Sequence, residues 1–152
     1  MRVVLDTNIV VSASLTPEGS SATIVDLALA GSFKLCLSAE VLAEYREVLA
    51  RPRFLRQAEK TAVLLEGLED IAVIVKPANR LSACQDQDDN RILECVDAAR
   101  AEFLVTGNLK HSPSSFGITR ILSPRDFLRS DWFLVISRIA YNHPEGRIHA
   151  DL

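Results

Sequence analysis

The sequence predicts an α/β fold with a mainly parallel sheet, and two patterns indicate it. Short apolar segments with the character of buried strands alternate along the chain with segments whose apolar residues recur at helical spacing. Parallel strands need a long crossover connection, and helices between the strands supply it. With 152 residues, of which 48% are hydrophobic, the chain can form one domain with a substantial core.

Strands are predicted where short apolar segments lack helical spacing. The first comprises residues 3–5 and, beyond a polar break, residues 9–11. The later strands are predicted at residues 34–37, 72–75, 103–106 and 120–122.

Helices are predicted between these strands, where apolar residues recur every three to four positions. Ser20 and Ser21 can cap the first helix, and Gly31 can end it. Ser38 precedes a second helical pattern over residues 39–49. The remaining helical patterns cover residues 60–68, residues 88–101 and a short segment that begins at Ser123-Pro124.

The composition of the chain indicates the cellular compartment in which we expect the protein. No apolar segment approaches the roughly 20 residues of a membrane-spanning helix, and Asp6 comes before a signal-peptide hydrophobic region could form. The three cysteines are an odd number without CxxC spacing, which argues against a disulfide framework and a zinc cluster. We therefore expect a soluble protein, not bound to a membrane, in a reducing cytoplasmic compartment.

Charge narrows the classes of function. A net charge of -3 and a pI near 5.6 exclude the globally basic surface of many nucleic-acid binders. They do not exclude a metal-dependent nuclease, because a bound cation reverses the field of its central carboxylates toward phosphate.

Polar residues follow two predicted strands at the edge where ligands bind in open parallel sheets. Asp6-Thr7-Asn8 follows the first strand, and Thr106-Gly107-Asn108 follows a later one. Turn chemistry alone also explains Asp, Asn and Gly at these positions, so both interpretations stay open for Asp6 and Asn108.

Glu44 lies at the margin of an apolar helix stripe. At about 100° per residue, the stripe is formed by Val41, Leu42, Tyr45, Val48 and Leu49. Glu40 and Glu47 fall outside it, on the face expected to meet water. Glu44 alone of the three glutamates can point into a cleft, and a solvated flank position is the alternative.

An acidic run, residues 86–90, begins a later helix. Helix capping and the macrodipole explain Asp86 and Asp88. Asp89 instead projects onto the apolar stripe of that helix, where a carboxylate is costly unless it is paired or metal-bound. Asp89 is therefore the better candidate ligand, and Asp88 is the reserve.

Three carboxylates converging on one sheet edge would repel each other without a cation between them. Mg²⁺ suits such a site, because it prefers oxygen ligands, retains waters and works with a few carboxylates and a substrate phosphate. The ion can activate a water and offset charge on a scissile phosphate, and the number of ions stays open.

The ordered set of these motifs resembles the PIN domain family. It is most similar to the bacterial branch of toxins from toxin–antitoxin systems, related to VapC-type ribonucleases, and the resemblance spans residues 2–128. The motifs that carry it are Asp6-Thr7-Asn8, Glu44 within residues 42–49, residues 86–90 leading into Ile92-Leu93-Glu94-Cys95, and residues 104–108.

The resemblance implies a three-layer α/β/α sandwich, dependence on Mg²⁺ or Mn²⁺, and hydrolysis of RNA phosphodiester bonds. The first three family acids correspond to Asp6, Glu44 and Asp89. A fourth acid usually follows the Thr-Gly of the late strand, and Asn108 stands there instead. Its amide oxygen can ligate a metal, but the site has one negative charge fewer. The implied partners are RNA, a cognate antitoxin protein and a second copy in a homodimer.

Substrate contacts are expected from basic and polar residues near the acids, namely Asn8, Thr106, Arg46 and Lys110. Arg46 belongs to a cluster with Arg51, Arg53 and Arg56, and guanidinium forks suit phosphate. An ordinary solvated face is the alternative for the cluster.

Residues 1–128 are predicted to form the nuclease domain, and residues 129–152 an extension that is either part of it or a loose tail. Residues 132–140 are ambiguous between helix and strand.

Two other functions remain. A phosphatase could use Asp6 as a nucleophile, but such enzymes place an acid two residues on, where this chain has Asn8. A catalytically weakened PIN fold that binds RNA or protein is favoured by Asn108 and disfavoured by the three retained acids.

Overall fold

The computed structural model describes residues 1–82, 86–109 and 113–142. Within these ranges the chain forms six strands, seven α-helices and one 3-10 helix, Pro52–Gln57. The strands are β1 (Arg2–Leu5), β2 (Lys34–Ser38), β3 (Val73–Val75), β4 (Phe103–Val105), β5 (Ser115–Phe116) and β6 (Thr119–Leu122). The helices are α1 (Thr7–Leu15), α2 (Ser20–Leu29), α3 (Ala39–Leu49), α4 (Ala58–Ile71), α5 (Gln87–Ala99), α6 (Pro124–Arg129) and α7 (Asp131–Asn142).

One sheet joins the strands in the order β3-β2-β1-β4-β6-β5. All neighbouring strands are parallel except β5 and β6, which form an antiparallel hairpin. The chain crosses the sheet from β1 to β3 and then returns to β4, so right-handed crossovers place helices on opposite faces. The predicted α/β/α fold with a mainly parallel sheet is confirmed.

The strand order reverses at β1, which lies between β2 and β4. In open α/β sheets the carboxyl ends of the strands at such a reversal form the ligand-binding crevice. Asp6 directly follows β1, and Thr106 directly follows β4. The topology therefore brings the two predicted strand-end motifs together.

The prediction of strand for residues 9–11 is wrong. The chain enters α1 immediately after Asp6, whose extended backbone serves as the N-cap, and the amide of Ile9 donates to the Asp6 carbonyl at 2.9 Å. Ile9 and Val10 are buried in the core. Burial of this apolar face outweighs the strand preference of β-branched residues, which is a weak local effect.

Several predicted boundaries also differ. Gly19, not Ser20 or Ser21, is the N-cap of α2, because both serines lie inside the helix. The hairpin strand β5 was not predicted, since two residues are too short for a pattern; Gly117 turns the chain there with φ +55°. Ser38 precedes α3 as predicted, and it caps the helix by accepting from the Val41 amide at 3.2 Å.

The ambiguous segment near the C-terminus forms the helix α7. The Trp132 ring packs edge-on against Phe103, with centroids 6.4 Å apart, so the start of α7 contacts the domain. Residues 143–152 of the predicted extension lie outside the described ranges, and the domain boundary at residue 128 stays a prediction. In the described part of the chain, no helix is both long and apolar enough to cross a membrane.

Candidate active site

Asp6 is held by side chains from two strand ends. The Thr106 hydroxyl donates to Asp6 Oδ2 at 2.7 Å, and the Asn8 carboxamide donates to the same oxygen at 3.2 Å. The Asp6 amide donates to the Val105 carbonyl at 2.9 Å, which continues the β1–β4 pairing. These bonds fix both the backbone and the carboxylate of Asp6 at the carboxyl edge of the sheet.

Asn8 and Thr106 also shape the loop that follows β4. The Gly107 amide donates to Asn8 Oδ1 at 3.0 Å, and the Asn108 amide donates to the Thr106 hydroxyl at 3.1 Å. Asn8 and Thr106 thus act on the Asp6 carboxylate and the loop in this structure. Their predicted role toward substrate stays a prediction.

Glu44 reaches the same edge from α3. The hydroxyl of Thr7, the residue after Asp6, donates to Glu44 Oε2 at 2.7 Å. Glu44 is half-buried, whereas Glu40 and Glu47 are exposed, as the helix stripe predicts. Thr7 was not predicted as a site residue; its position at the start of α1, beside Asp6, was the available signal.

Both carboxyls have raised pKa values. Burial raises the pKa of Asp6, and the hydrogen bonds from Thr106 and Asn8 lower it only partly. Burial also raises the pKa of Glu44, and the charges of Asp88 and Asp6 raise it further. Among the described residues, neither carboxylate forms an ion pair with a lysine or arginine. In the part of the chain that the structure describes, this edge therefore concentrates negative charge that no lysine or arginine pairs with.

The acidic run begins α5 beside this edge. Asp86 is the N-cap, accepting from the Asp88 amide at 2.8 Å, so capping explains Asp86 as predicted. Asp88 is exposed, yet its charge raises the pKa of Glu44. Asp89 is half-buried in the first turn. The structure thus links the reserve ligand Asp88 electrostatically to Glu44.

A family model described as PIN domain matches residues 2–110, more than half of the chain. The chain belongs to the PIN domain family. Its sequence is 26% identical over 111 residues to the uncharacterized protein MJ1680 of Methanocaldococcus jannaschii, covering 71% of each protein.

Two solved structures share the fold of this PIN domain. A chain of VapBC2 from Rickettsia felis, bound to a DNA fragment from its promoter, is 21% identical, with a TM-score of 0.56 over 81% of this chain and 98% of that one. A chain of FitAB bound to an IR36 DNA fragment is 15% identical, with a TM-score of 0.51 over 80% of this chain and 94% of that one.

The donor set of this PIN domain is of the kind that a hard divalent ion prefers, because the carboxylates of Asp6 and Glu44 lie at one edge with the hydroxyl oxygens of Thr106 and Thr7. In residues 1–82, 86–109 and 113–142, however, no three His, Cys, Asp or Glu side chains are grouped closely enough to hold a metal. The side chains of these described residues therefore do not form a closed cage. Mg²⁺ tolerates this arrangement, because it usually keeps several of its waters.

The arginine cluster lies away from this edge of the PIN domain. Arg46 follows Glu44 by two residues, about 200° around α3, and its guanidinium donates to Glu69 of α4 at 2.6 Å. Arg51 is paired with Glu47 at 3.7 Å, and Arg53 stacks over the Phe54 ring at 4.7 Å. The structure does not bring Arg46 to Asp6. Lys110 lies outside the described residues.

Proposed function

We propose that this PIN domain is a metal-dependent endoribonuclease that hydrolyses RNA phosphodiester bonds. Asp6, Glu44 and Asp89 are the proposed metal-binding and catalytic acids, and Asp88 and Asn108 are the further candidate ligands. The carrying observation is that Asp6 and Glu44 lie at one sheet edge with raised pKa values, and that neither is ion-paired with a lysine or arginine in the described residues. Buried charge of this kind is costly without an ion or partner.

Mg²⁺ or Mn²⁺ bound here would supply an activated water and offset the negative charge of the phosphate. The protein's own part is to hold the ligand oxygens in place. The hydroxyls of Thr106 and Thr7 donate to Asp6 Oδ2 and Glu44 Oε2, so each carboxylate has a fixed orientation. Metal ligands must be deprotonated. Because both pKa values are raised, we expect metal affinity to rise with pH through the range above their ordinary values.

We further propose that the protein is the toxin of a toxin–antitoxin system. The support is the family, together with a fold shared with chains of VapBC2 and FitAB. The expected partners are a cognate antitoxin protein, RNA as substrate and a second copy in a homodimer. The expected compartment is the cytoplasm.

Cleavage of RNA by the purified protein tests the nuclease proposal. With Mg²⁺ or Mn²⁺ present and absent after chelation, we expect cleavage only with the ion. Asp6→Asn should lower the rate by at least about 100-fold, because even residues that only support metal ligands are commonly worth 10–100-fold. Glu40→Gln is the matched control, since Glu40 is exposed on α3. Metal-independent cleavage, or equal rates for Asp6→Asn and wild type, would reject the proposal.

A weakened PIN fold that binds RNA or protein is the second candidate. Asn108 supports it, because a neutral residue stands where the family usually has its fourth acid. RNA binding without ion-dependent cleavage would favour this alternative. The phosphatase alternative has less support, because Asn8 donates to Asp6 and offers no acid.

A further inference from the structure

Tyr45 connects α3 to the end of β1 beneath the proposed site. Its side chain is fully buried, and its hydroxyl donates a hydrogen bond to the carbonyl of Leu5. Leu5 is the last residue of β1 and directly precedes Asp6, while Tyr45 directly follows Glu44 on α3. The bond therefore joins the two segments that carry the proposed ligands.

A second bond joins the same two segments one step further along. The Thr7 hydroxyl donates to Glu44 at 2.7 Å. Two bonds thus connect the segment Leu5-Asp6-Thr7 to the neighbouring residues Glu44 and Tyr45. Asp6 lies between the two residues of its segment that make these bonds. The bond from Tyr45 to Leu5 is buried beneath the proposed site, and the bond from Thr7 to Glu44 lies within it.

The third acid-bearing element also lies near the Tyr45 hydroxyl. The helix α5 packs against both β1 and α3. Cys95 is buried on α5, the helix that begins with the acidic run. The hydroxyl therefore lies where β1, α3 and α5 meet.

We propose that Tyr45 is a positioning residue whose hydroxyl bond to Leu5 fixes the separation of Asp6 and Glu44. Packing alone does not require this hydroxyl, because a phenylalanine ring fills nearly the same space. This role rests on the proposed function, in which both carboxylates serve one ion. Proposed ligands held too loosely lose affinity and rate even when every ligand is present.

Tyr45→Phe tests the role by removing only the hydroxyl. The matched control is Thr119→Val, because the Thr119 hydroxyl also makes a buried bond to a carbonyl, that of Ala101, at 2.6 Å. Thr119 is the first residue of β6 and Ala101 lies just before β4, so both are at the amino ends of the strands, opposite the site. Both variants lose one buried hydroxyl–carbonyl bond, so their melting temperatures should fall by similar amounts.

The dissociation constant for Mn²⁺, measured by calorimetry, should rise about tenfold in Tyr45→Phe and stay at the wild-type value in Thr119→Val. Without any metal, amide hydrogen exchange at Asp6 and Ile9 should be faster in Tyr45→Phe than in Thr119→Val. Equal exchange at these two amides in both variants would overturn the positioning role. RNA cleavage by the wild type is scored separately, so failure of the nuclease proposal is distinguished from failure of the Tyr45 proposal.

Discussion

The buried carboxylate of Glu94 and the half-buried pair Asp6 and Glu44 have different surroundings. Glu94 on α5 is only 5% exposed, and a guanidinium nitrogen of Arg91 lies 2.7 Å from both of its oxygens. The Leu81 amide donates to Glu94 Oε1, also at 2.7 Å. Asp6 and Glu44 instead accept bonds from neutral hydroxyl and amide groups.

The difference separates a structural carboxylate from a proposed functional pair. Glu94 has its charge matched by Arg91 and holds the segment that follows β3 against α5. Asp6 and Glu44 are also oriented by hydrogen bonds, but neither is ion-paired in the described residues and their pKa values are raised. The lack of an ion-pair partner, more than burial, therefore indicates where this fold can bind a cation.

Removing the charge of the structural carboxylate, Glu94, should have the largest effect on stability. Glu94→Gln leaves the Arg91 guanidinium, whose side chain is 17% exposed, without its anion. We expect a loss of about 3 kcal/mol in the free energy of unfolding, measured by urea denaturation, because removing one partner of a buried ion pair is costly. Mn²⁺ affinity of the folded variant should not change. Glu69→Gln is the control, since its pair with Arg46 is exposed and worth less than about 1 kcal/mol. Equal losses of unfolding free energy in both variants would contradict the proposed difference between the buried and the exposed ion pair.

Neutralising Asp6, a carboxylate without an ion-pair partner in the described residues, should change the free energy of unfolding in the opposite direction. Without metal at pH 7, we expect Asp6→Asn to stabilise the fold by about 1 kcal/mol, as changes that relieve functional sites commonly do. Because the folded state raises the pKa of Asp6, protonation favours folding and ionisation opposes it. The gain should be full at neutral pH and vanish as the pH falls through the raised pKa toward 3.8. A variant no more stable than wild type at pH 7 would contradict this account.

Adding an acid should strengthen metal binding by a similarly small amount. The Asn108 amide donates to the Thr106 hydroxyl, which itself donates to Asp6, so residue 108 lies beside the ligand network. We expect Asn108→Asp to tighten Mn²⁺ binding by about 1 kcal/mol, since the added attraction is offset by hydration and by repulsion from the other acids. Calorimetry on both proteins measures it. Equal or weaker binding by the variant would place residue 108 outside the metal shell.

The parallel fold was predictable because strand and helix periodicities alternate regularly, and most elements lie within a few residues of their predicted positions. The helix α1 was not predictable, because Ile9 and Val10 favour strand locally. Their helical conformation depends on packing in the core. The β5 strand was missed because two residues carry no period.

The site was predictable where local patterns determine it. Strand-end placement indicated Asp6, and the margin of an apolar stripe indicated Glu44, which the structure brings together through Thr7. The bond from Tyr45 to Leu5 was not predictable, because it depends on how α3 sits against β1. The Leu81–Glu94 bond depends likewise on a loop path that no pattern encodes.

Calorimetric titration of Mn²⁺ into the metal-free wild type and Asp6→Asn at pH 7 tests the central claim most directly, namely that the unmatched carboxylates form a cation site. The wild type should bind Mn²⁺ and gain stability with it, by about 2.7 kcal/mol at a free concentration 100 times the dissociation constant. Asp6→Asn should show neither effect while remaining folded. Equal binding by the two proteins, or no binding by the wild type, would contradict the account.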